Sequence, residues 1–375
     1  MNFNVDTIKN IYEHLGDDCS RRIFTDRLMF SLTSGSAFLQ DCVAACETGK
    51  EFIHYLKELK STGKEIIVYG AGVFGGSFYA TYGELINFYV DKSPAKKTMG
   101  SLPVYRPDVL KEHKDGYVLL AFGPGEGQGK EGERKCQEVR AYLSTISFPE
   151  DHIVDLYLYD KLFLPKQYFD LPALRWESGD TFVDAGCYDG YTSIRYLENY
   201  GMMKHQEKAN IIAFDADAAF TERIEKNIAG YRDKVNFELK QFACWDTEGE
   251  VRFCKTETDL FEVADDGDIF TRCTTIDAAL QGRKADFIKM DIEGAEYRAL
   301  VGAEHTIRTF KPQLAISIYH RPEDMWRLPE IILKFNPEYK LFLRHYTIKL
   351  NETVLYAIPQ QFCKDSGKPH DDLKC

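Results

Sequence analysis

The 375-residue chain has no run approaching the ~18 to 20 consecutive apolar residues of a membrane-spanning helix. Its first residues, MNFNVDTIKNIYEHLGDD, lack the basic start and apolar middle of a signal peptide, so the protein is expected in the cytoplasm with no membrane span. Basic charge is scarce as well. Lys and Arg number 47 against 59 Asp and Glu, a formal net charge of −12 whose field repels phosphate backbones and disfavours nucleic acid as a partner. With 27 Gly and 13 Pro, low-complexity and collagen-like classes are excluded. The 10 cysteines include no CxxC pair. Cys42 and Cys46 lie one helical turn apart without a His or further Cys at ligand spacing, so reduced thiols and no structural metal are expected.

A 44% hydrophobic and 13% aromatic content supports a large core, and the length suits about two domains. Residues 1–62 carry helical periodicity, as in Ile8, Ile11, Tyr12 and Leu15 and again in Phe52, Ile53, Leu56 and Leu59. The pattern then alternates between amphipathic stretches and the β-branched runs IIVYG, YVLLAF, TFVDAG, NIIAFD, DFIKMD and QLAISIY. Alternation of this kind predicts an α/β protein with parallel sheets. It restarts at residue 181 after Pro165, Pro172 and the turn ESGD. The expected order is a helical lead-in over 1–62, a Rossmann-like unit over 63–165 and a second doubly wound Rossmann-like unit over 166–375.

The first strand opens into GAGVFG (Gly70, Gly72, Gly75), and Asp91 closes the next apolar run. The set matches a dinucleotide fingerprint, so NAD or another nucleotide is a candidate ligand of this unit. The same glycines also serve a βα turn that binds nothing. Downstream, GPGEGQGKEGERK reads as a Gly-rich surface loop.

The second strand-to-helix turn is VDAGCYDGYTS. Gly186 and Gly190 let the chain pass close under a bulky ligand, so replacing Gly186 should block the ligand with little loss of fold. Asp184, at the strand end, can accept from an ammonium or hydroxyl, and Asp189 belongs to the same rim. Asp215 ends the next strand, where a Rossmann-type sheet puts a carboxylate on ribose hydroxyls. In FACWD, Phe242 or Trp245 could stack on an adenine and Asp246 contact its edge, with core packing as the alternative for Phe242. Asp291 and Glu293 stand at the carboxyl end of DFIKMD, with helix capping as the other reading of Glu293.

These blocks, with TTIDAAL, DFIKMDIEGAEYRALVGA and PQLAISIYH, resemble the FkbM-type methyltransferases over roughly residues 175–358. Two positions depart from the family pattern: Ala216 follows Asp215 where a proline is usual, and Tyr188 replaces an Asn. LGDDCSRRIFTDRLMFSLTSG resembles the lead-in of longer members that carry a Rossmann-like unit first. The resemblance implies S-adenosylmethionine as cofactor, held by Asp184, Gly186, Tyr188, Asp189, Gly190, Asp215, Phe242, Ala243 and Asp291. It further implies methyl transfer to a hydroxyl of a sugar, glycan precursor or secondary metabolite, as in carbohydrate biosynthesis.

In-line transfer from a sulfonium needs positioning and a base for the hydroxyl proton. His320, closing LAISIY beside Arg321, is the candidate base, with Asp291 or Glu293 as carboxylate alternatives and His345 as a second imidazole. Residues 311–350 hold seven basic against four acidic side chains, which would suit a nucleotide-linked or phosphorylated sugar. A helix with mixed exposed charges is the other reading. Two further functions remain open: an NAD-dependent sugar-modifying oxidoreductase, and a non-catalytic nucleotide-binding regulator. A homo-oligomer is compatible with each.

Overall fold

Each of the six β-branched runs forms a buried parallel strand in the computed structural model, which describes residues 4–93, 97–123, 130–163, 166–202, 208–255, 261–263, 267 and 269–364. Branched side chains fill both faces of such strands because helices cover the sheet on each side. Two compact units result. The first comprises the chain up to Ser31, Gln167–Arg344 and the stretch from Glu352. The second comprises Leu32–Lys166 together with His345–Asn351.

The first unit is built on a seven-stranded sheet in the order Tyr339–His345, Thr353–Pro359, Gln313–Ser317, Phe287–Met290, Thr181–Ala185, Ala209–Phe214, Val235–Lys240. Thr353–Pro359 runs antiparallel to Gln313–Ser317, and the strands from Gln313–Ser317 to Val235–Lys240 pair in parallel. A smaller four-stranded sheet (Ala243–Cys244, Ile269–Thr274, Gly249–Lys255, Phe261–Val263) is inserted before Phe287–Met290. The motif TTIDAAL acts as a double cap. Thr275 accepts from the Ala278 amide at 3.0 Å, and Asp277 accepts from His305 and Thr306 amides at 2.9 Å, ending two helices with one turn of chain. Gly302 packs where any Cβ would stand 2.0 Å from the Trp245 carbonyl oxygen.

The second unit carries a six-stranded sheet in the order Thr98–Met99, Leu102–Tyr105, Phe88–Val90, Ile66–Tyr69, Tyr117–Leu120, Ile153–Asp155. Its core joins Ile67, Val90, Leu110, Val118, Leu120 and Leu143.

Three expectations change. The helical stretch 1–62 is not one piece, because the chain up to Ser31 clusters with the first unit and the rest with the second. In GPGEGQGKEGERK, residues 124–129 lie outside the described residues, and the rest begins the helix Lys130–Thr145, whose Glu131 pairs with Lys135 one turn on at 2.6 Å. Cys42, Cys46, Cys136, Cys187, Cys244, Cys273 and Cys363 are free, but Cys19 is disulfide-bonded, so the chain is not thiol throughout.

The helices before residue 32 are tied to the seven-stranded sheet by a buried ion pair. Arg344 donates to Asp17 at 2.7 Å and to Ser20 at 3.1 Å, and both charged side chains are buried. Burial works against the Asp17 charge, but the Arg344 contact outweighs it and holds the carboxyl below its ordinary value. Removing one partner leaves an uncompensated buried charge, a cost of about 3 to 5 kcal/mol. Asp17→Asn should therefore lower the thermal midpoint by roughly 6 to 20 °C in circular dichroism, at ~2 to 4 °C per kcal/mol for a unit of this size. A fall below ~2 °C would show that the pair does not anchor the segment. A chain beginning near residue 166, which lacks Asp17, should be at least as unstable as that variant.

Candidate functional site

Thr181–Ala185 lies between Ala209–Phe214 and Phe287–Met290, so strand order reverses at its carboxyl end and a crevice opens there. The loop that follows needs left-handed backbone at Gly186 (φ 78°), Tyr188 (φ 49°) and Gly190 (φ 81°). The amides of Gly186 and Cys187 both donate to the Phe214 carbonyl at 2.9 Å. Asp215 fastens the loop further, accepting from the Tyr188 amide at 2.8 Å and the Asp217 amide at 2.9 Å. Burial pushes its carboxyl up to about 6 despite those two amides. Asp189 accepts from the Tyr191 amide at 3.0 Å and caps the helix Tyr191–Met202. The Tyr188 ring is 45% exposed and rests 4.5 Å from the Phe220 ring, beside the loop rather than under it.

Gly186 has a different reason from the expected one. A Cβ there would stand 1.9 Å from the Asp291 carbonyl oxygen, so the glycine permits the close approach of two chain segments. Its replacement threatens the fold itself. Gly190, whose nearest side-chain neighbour would be 3.6 Å away, is required for its backbone conformation alone.

Asp184 is wholly buried. Ser193 donates to it at 2.7 Å and the Lys289 ammonium lies 3.2 Å away. Lys289, itself buried, also donates to the Gly186 carbonyl at 2.6 Å. Burial would discharge this lysine, but Asp184 and Asp291 outweigh it and raise its pKa. The expected role of Asp184 as a ligand acceptor is thus replaced by a structural ion pair.

In FACWD, Ala243 is buried in a small cluster with Val251, Phe253 and Cys273, against which Trp245 packs. The half-buried Phe242 ring carries the Arg272 guanidinium 4.7 Å from its centroid. Asp246 is held by Arg298 at 2.5 Å, so an edge contact to an adenine would have to break that pair.

Across the crevice, Asp291 accepts from the Tyr168 hydroxyl at 2.9 Å and the Tyr319 hydroxyl at 3.0 Å. Burial raises its pKa, but Lys289 and His320 bring the carboxyl below its ordinary value. His320 lies among three acids: Nε2 is 3.5 Å from both Asp291 and Glu293, and Nδ1 is 2.9 Å from Glu296 Oε1. Glu296 is wholly buried and also accepts from the Ile292 amide at 2.9 Å. Glu293 does not cap the helix Glu296–Val301; it sits before that helix in left-handed backbone (φ 54°). Burial disfavours a charged imidazole, yet Glu296, Asp291 and Glu293 outweigh it and lift the His320 pKa to about 10. The three acids favour the protonated ring, which weighs against His320 as the base. His345 is buried, with Nε2 2.9 Å from the Lys349 carbonyl oxygen.

Four of the seven basic residues of 311–350 are already engaged within the protein. Arg344 is spent on Asp17, Lys349 is buried against Asp160 at 2.6 Å, Lys311 pairs with Glu338 at 2.7 Å, and Arg327 lies over the Tyr297 ring.

The second unit repeats the loop-fastening device. Asp91 accepts from the Ala71 amide at 2.9 Å and the Ser93 amide at 3.0 Å, as Asp215 does from Tyr188 and Asp217. Gly70 (φ 117°) and Gly75 are explained by packing, with Cβ positions 2.7 Å from the Ala121 carbonyl oxygen and 2.1 Å from that of Gly70. Gly72 has open space and borders a cavity of about 500 Å³ with Asp91, Phe74 and Lys349.

Residues 184–347, a little under half of the chain, match the family profile described as the methyltransferase FkbM domain. This part of the chain is an FkbM methyltransferase domain. Residues 33–122, within the second unit, match the profile of a C-methyltransferase C-terminal domain. The protein is an S-adenosylmethionine-dependent methyltransferase. No curated protein matches the chain. Among solved structures, a methyltransferase FkbM of Methylobacillus flagellatus is 19% identical, with 78% of this chain and 90% of that one covered and a TM-score of 0.47. A Podospora anserina methyltransferase with bound S-adenosylhomocysteine is 13% identical, with 60% and 95% covered and a TM-score of 0.28. The family match, not these likenesses, carries the assignment. Nothing in the comparisons points to NAD at the second unit.

Sequence reasoning missed Lys289, Tyr168, Tyr319 and Glu296 in the FkbM domain. Only Lys289 had a signal, as a lone charge inside the apolar strand FIKM. Gly186→Ala should lose roughly 2 to 6 kcal/mol through left-handed strain and overpacking. Gly230→Ala, where a Cβ meets nothing within 4 Å, is the control and should melt like wild type. Equal melting of the two variants would refute the packing account of Gly186.

Proposed function

We propose that S-adenosylmethionine lies over the loop 186–190 with its ribose hydroxyls on Asp215, and that the enzyme methylates a hydroxyl of a sugar, glycan precursor or other small metabolite. The observation that carries the reading is the close approach of Gly186 to the Asp291 backbone, which joins the glycine loop to the strand end that bears Asp291. Both Asp215 oxygens are already set by loop amides, and each retains a lone pair for a ribose hydroxyl. In the transfer, the acceptor oxygen attacks the sulfonium methyl in line, the S–CH₃ bond breaks, and S-adenosylhomocysteine leaves. The hydroxyl proton passes to Asp291, whose carboxylate Tyr168 and Tyr319 hold in place.

A carbon acceptor is the second reading, favoured by the C-methyltransferase profile over residues 33–122. In both readings the second unit recruits the acceptor, and its cavity at Gly72 suits a nucleotide-linked or phosphorylated sugar through the free amides of the helix Val73–Tyr82. Mass spectrometry of hydroxylated acceptors incubated with S-adenosylmethionine should reveal one added methyl, and carbon NMR of the product separates O-methyl from C-methyl. Absence of any methylated product across sugar nucleotides and free glycosides would defeat the acceptor assignment.

Asp215→Ala should weaken S-adenosylhomocysteine binding by ~10- to 150-fold in calorimetry, equivalent to about 1.5 to 3 kcal/mol for charged hydrogen bonds. The pH dependence has a definite sign. Ribose hydroxyls donate to the ionised carboxylate, so affinity falls as pH drops through about 6, by up to roughly fourfold between pH 7.5 and 5.5. Asp215→Asn should flatten that dependence. Asp291→Asn should lower turnover by about 10² to 10⁴ with S-adenosylhomocysteine affinity within about threefold. Undiminished turnover would remove Asp291 from the reaction.

A further inference from the structure

Donor atoms of Asp291, Glu296 and His320 lie within 4.8 Å of one another at the carboxyl edge of the sheet. The details favour a cation over hydrogen bonds alone. His320 Nε2 stands 3.5 Å from an oxygen of Asp291 and 3.5 Å from one of Glu293, too far for a hydrogen bond to either. Ligand atoms at ~2.1 Å from a tetrahedral zinc-like ion are separated by ~3.4 Å, which matches the two separations of His320 Nε2 from Asp291 and from Glu293. The imidazole is 91% buried, with 9% of its side chain exposed, and neither ring nitrogen makes an aligned hydrogen bond. Glu296 Oε2, wholly buried, has no hydrogen-bond partner either. Nδ1 therefore faces Glu296 at 2.9 Å, while Nε2 is aimed at Asp291 and Glu293 from beyond hydrogen-bond distance.

We propose that this nest binds one divalent transition cation, Zn²⁺ or Mn²⁺, through His320 Nε2, Asp291 Oδ1 and Glu293 Oε2, with Glu296 orienting the ring from its other side. One imidazole and two carboxylates form a donor set for such ions, and three protein ligands leave a coordination position open. The Glu293 side chain is 43% exposed, so the open position faces solvent. The ion replaces the proton that the ring otherwise carries, because metal-binding imidazole is neutral. A role for the ion in polarising an acceptor hydroxyl rests on the methyl transfer proposed above. Binding of the ion does not.

The test uses the full chain, stripped with chelator and titrated with Mn²⁺ under electron paramagnetic resonance, with Zn²⁺ as competitor. One saturable site per chain is expected, displaced by Zn²⁺. Glu293→Gln, at an exposed position that should not disturb folding, and His320→Gln should each weaken uptake at least about tenfold. Lack of saturable uptake of Mn²⁺ and of Zn²⁺ by the folded chain would overturn the proposal, as would uptake that both variants leave unchanged. S-adenosylhomocysteine titration of the stripped protein keeps the two readings apart. Cofactor binding without cation uptake removes the cation alone, whereas cation uptake without cofactor binding removes the proposed cofactor pose.

Discussion

The ammonium of Lys289 holds the crevice together. It projects from an otherwise apolar strand, donates to the carbonyl of Gly186, and neutralises Asp184 in a place from which water is excluded. An unpaired charge there would be prohibitive, so ion and partner stand or fall together. Lys289 helps hold the turn of the glycine loop, offsets the buried charge of Asp184 and, with His320, lowers the pKa of Asp291.

Both units solve the same problem at the end of their second strand. A tight glycine loop leaves backbone amides without helical partners, and a carboxylate one strand away accepts one of them together with an amide of its own turn. Asp91 does so for Ala71 and Ser93, and Asp215 for Tyr188 and Asp217. The fingerprint therefore has a structural cause that operates before any ligand arrives. This is why GAGVFG followed by Asp91 does not by itself assign a nucleotide.

Charge near the reacting centre is governed by crowding of acids. Asp291, Glu293 and Glu296 converge on one ring, and their fields outweigh the desolvation that would otherwise neutralise it. The consequence is a ring biased toward its protonated form. An isolated imidazole of ordinary pKa would have been a base. The same residue in this enclosure is pushed toward its charged form by the three acids.

The sequence by itself determined the architecture. β-branched runs bounded by glycine and separated by amphipathic stretches could only bury their faces as two parallel-sheet units, and all six runs are strands. It also marked the carboxyl ends where Gly186, Asp215 and Asp291 stand, because period and turn chemistry are local. What surrounds each charge was decided by the tertiary structure. Asp184 and Lys289 are 105 positions apart in sequence, yet they neutralise each other through strand pairing. Arg344 meets Asp17, and Lys349 meets Asp160, so two charges of the apparent basic segment are taken up in the interior. The short segment His345–Asn351 joins the second unit while the strands on either side belong to the first. Local propensity contains no information about such partners, because ion pairing and desolvation depend on distances that only the folded chain establishes.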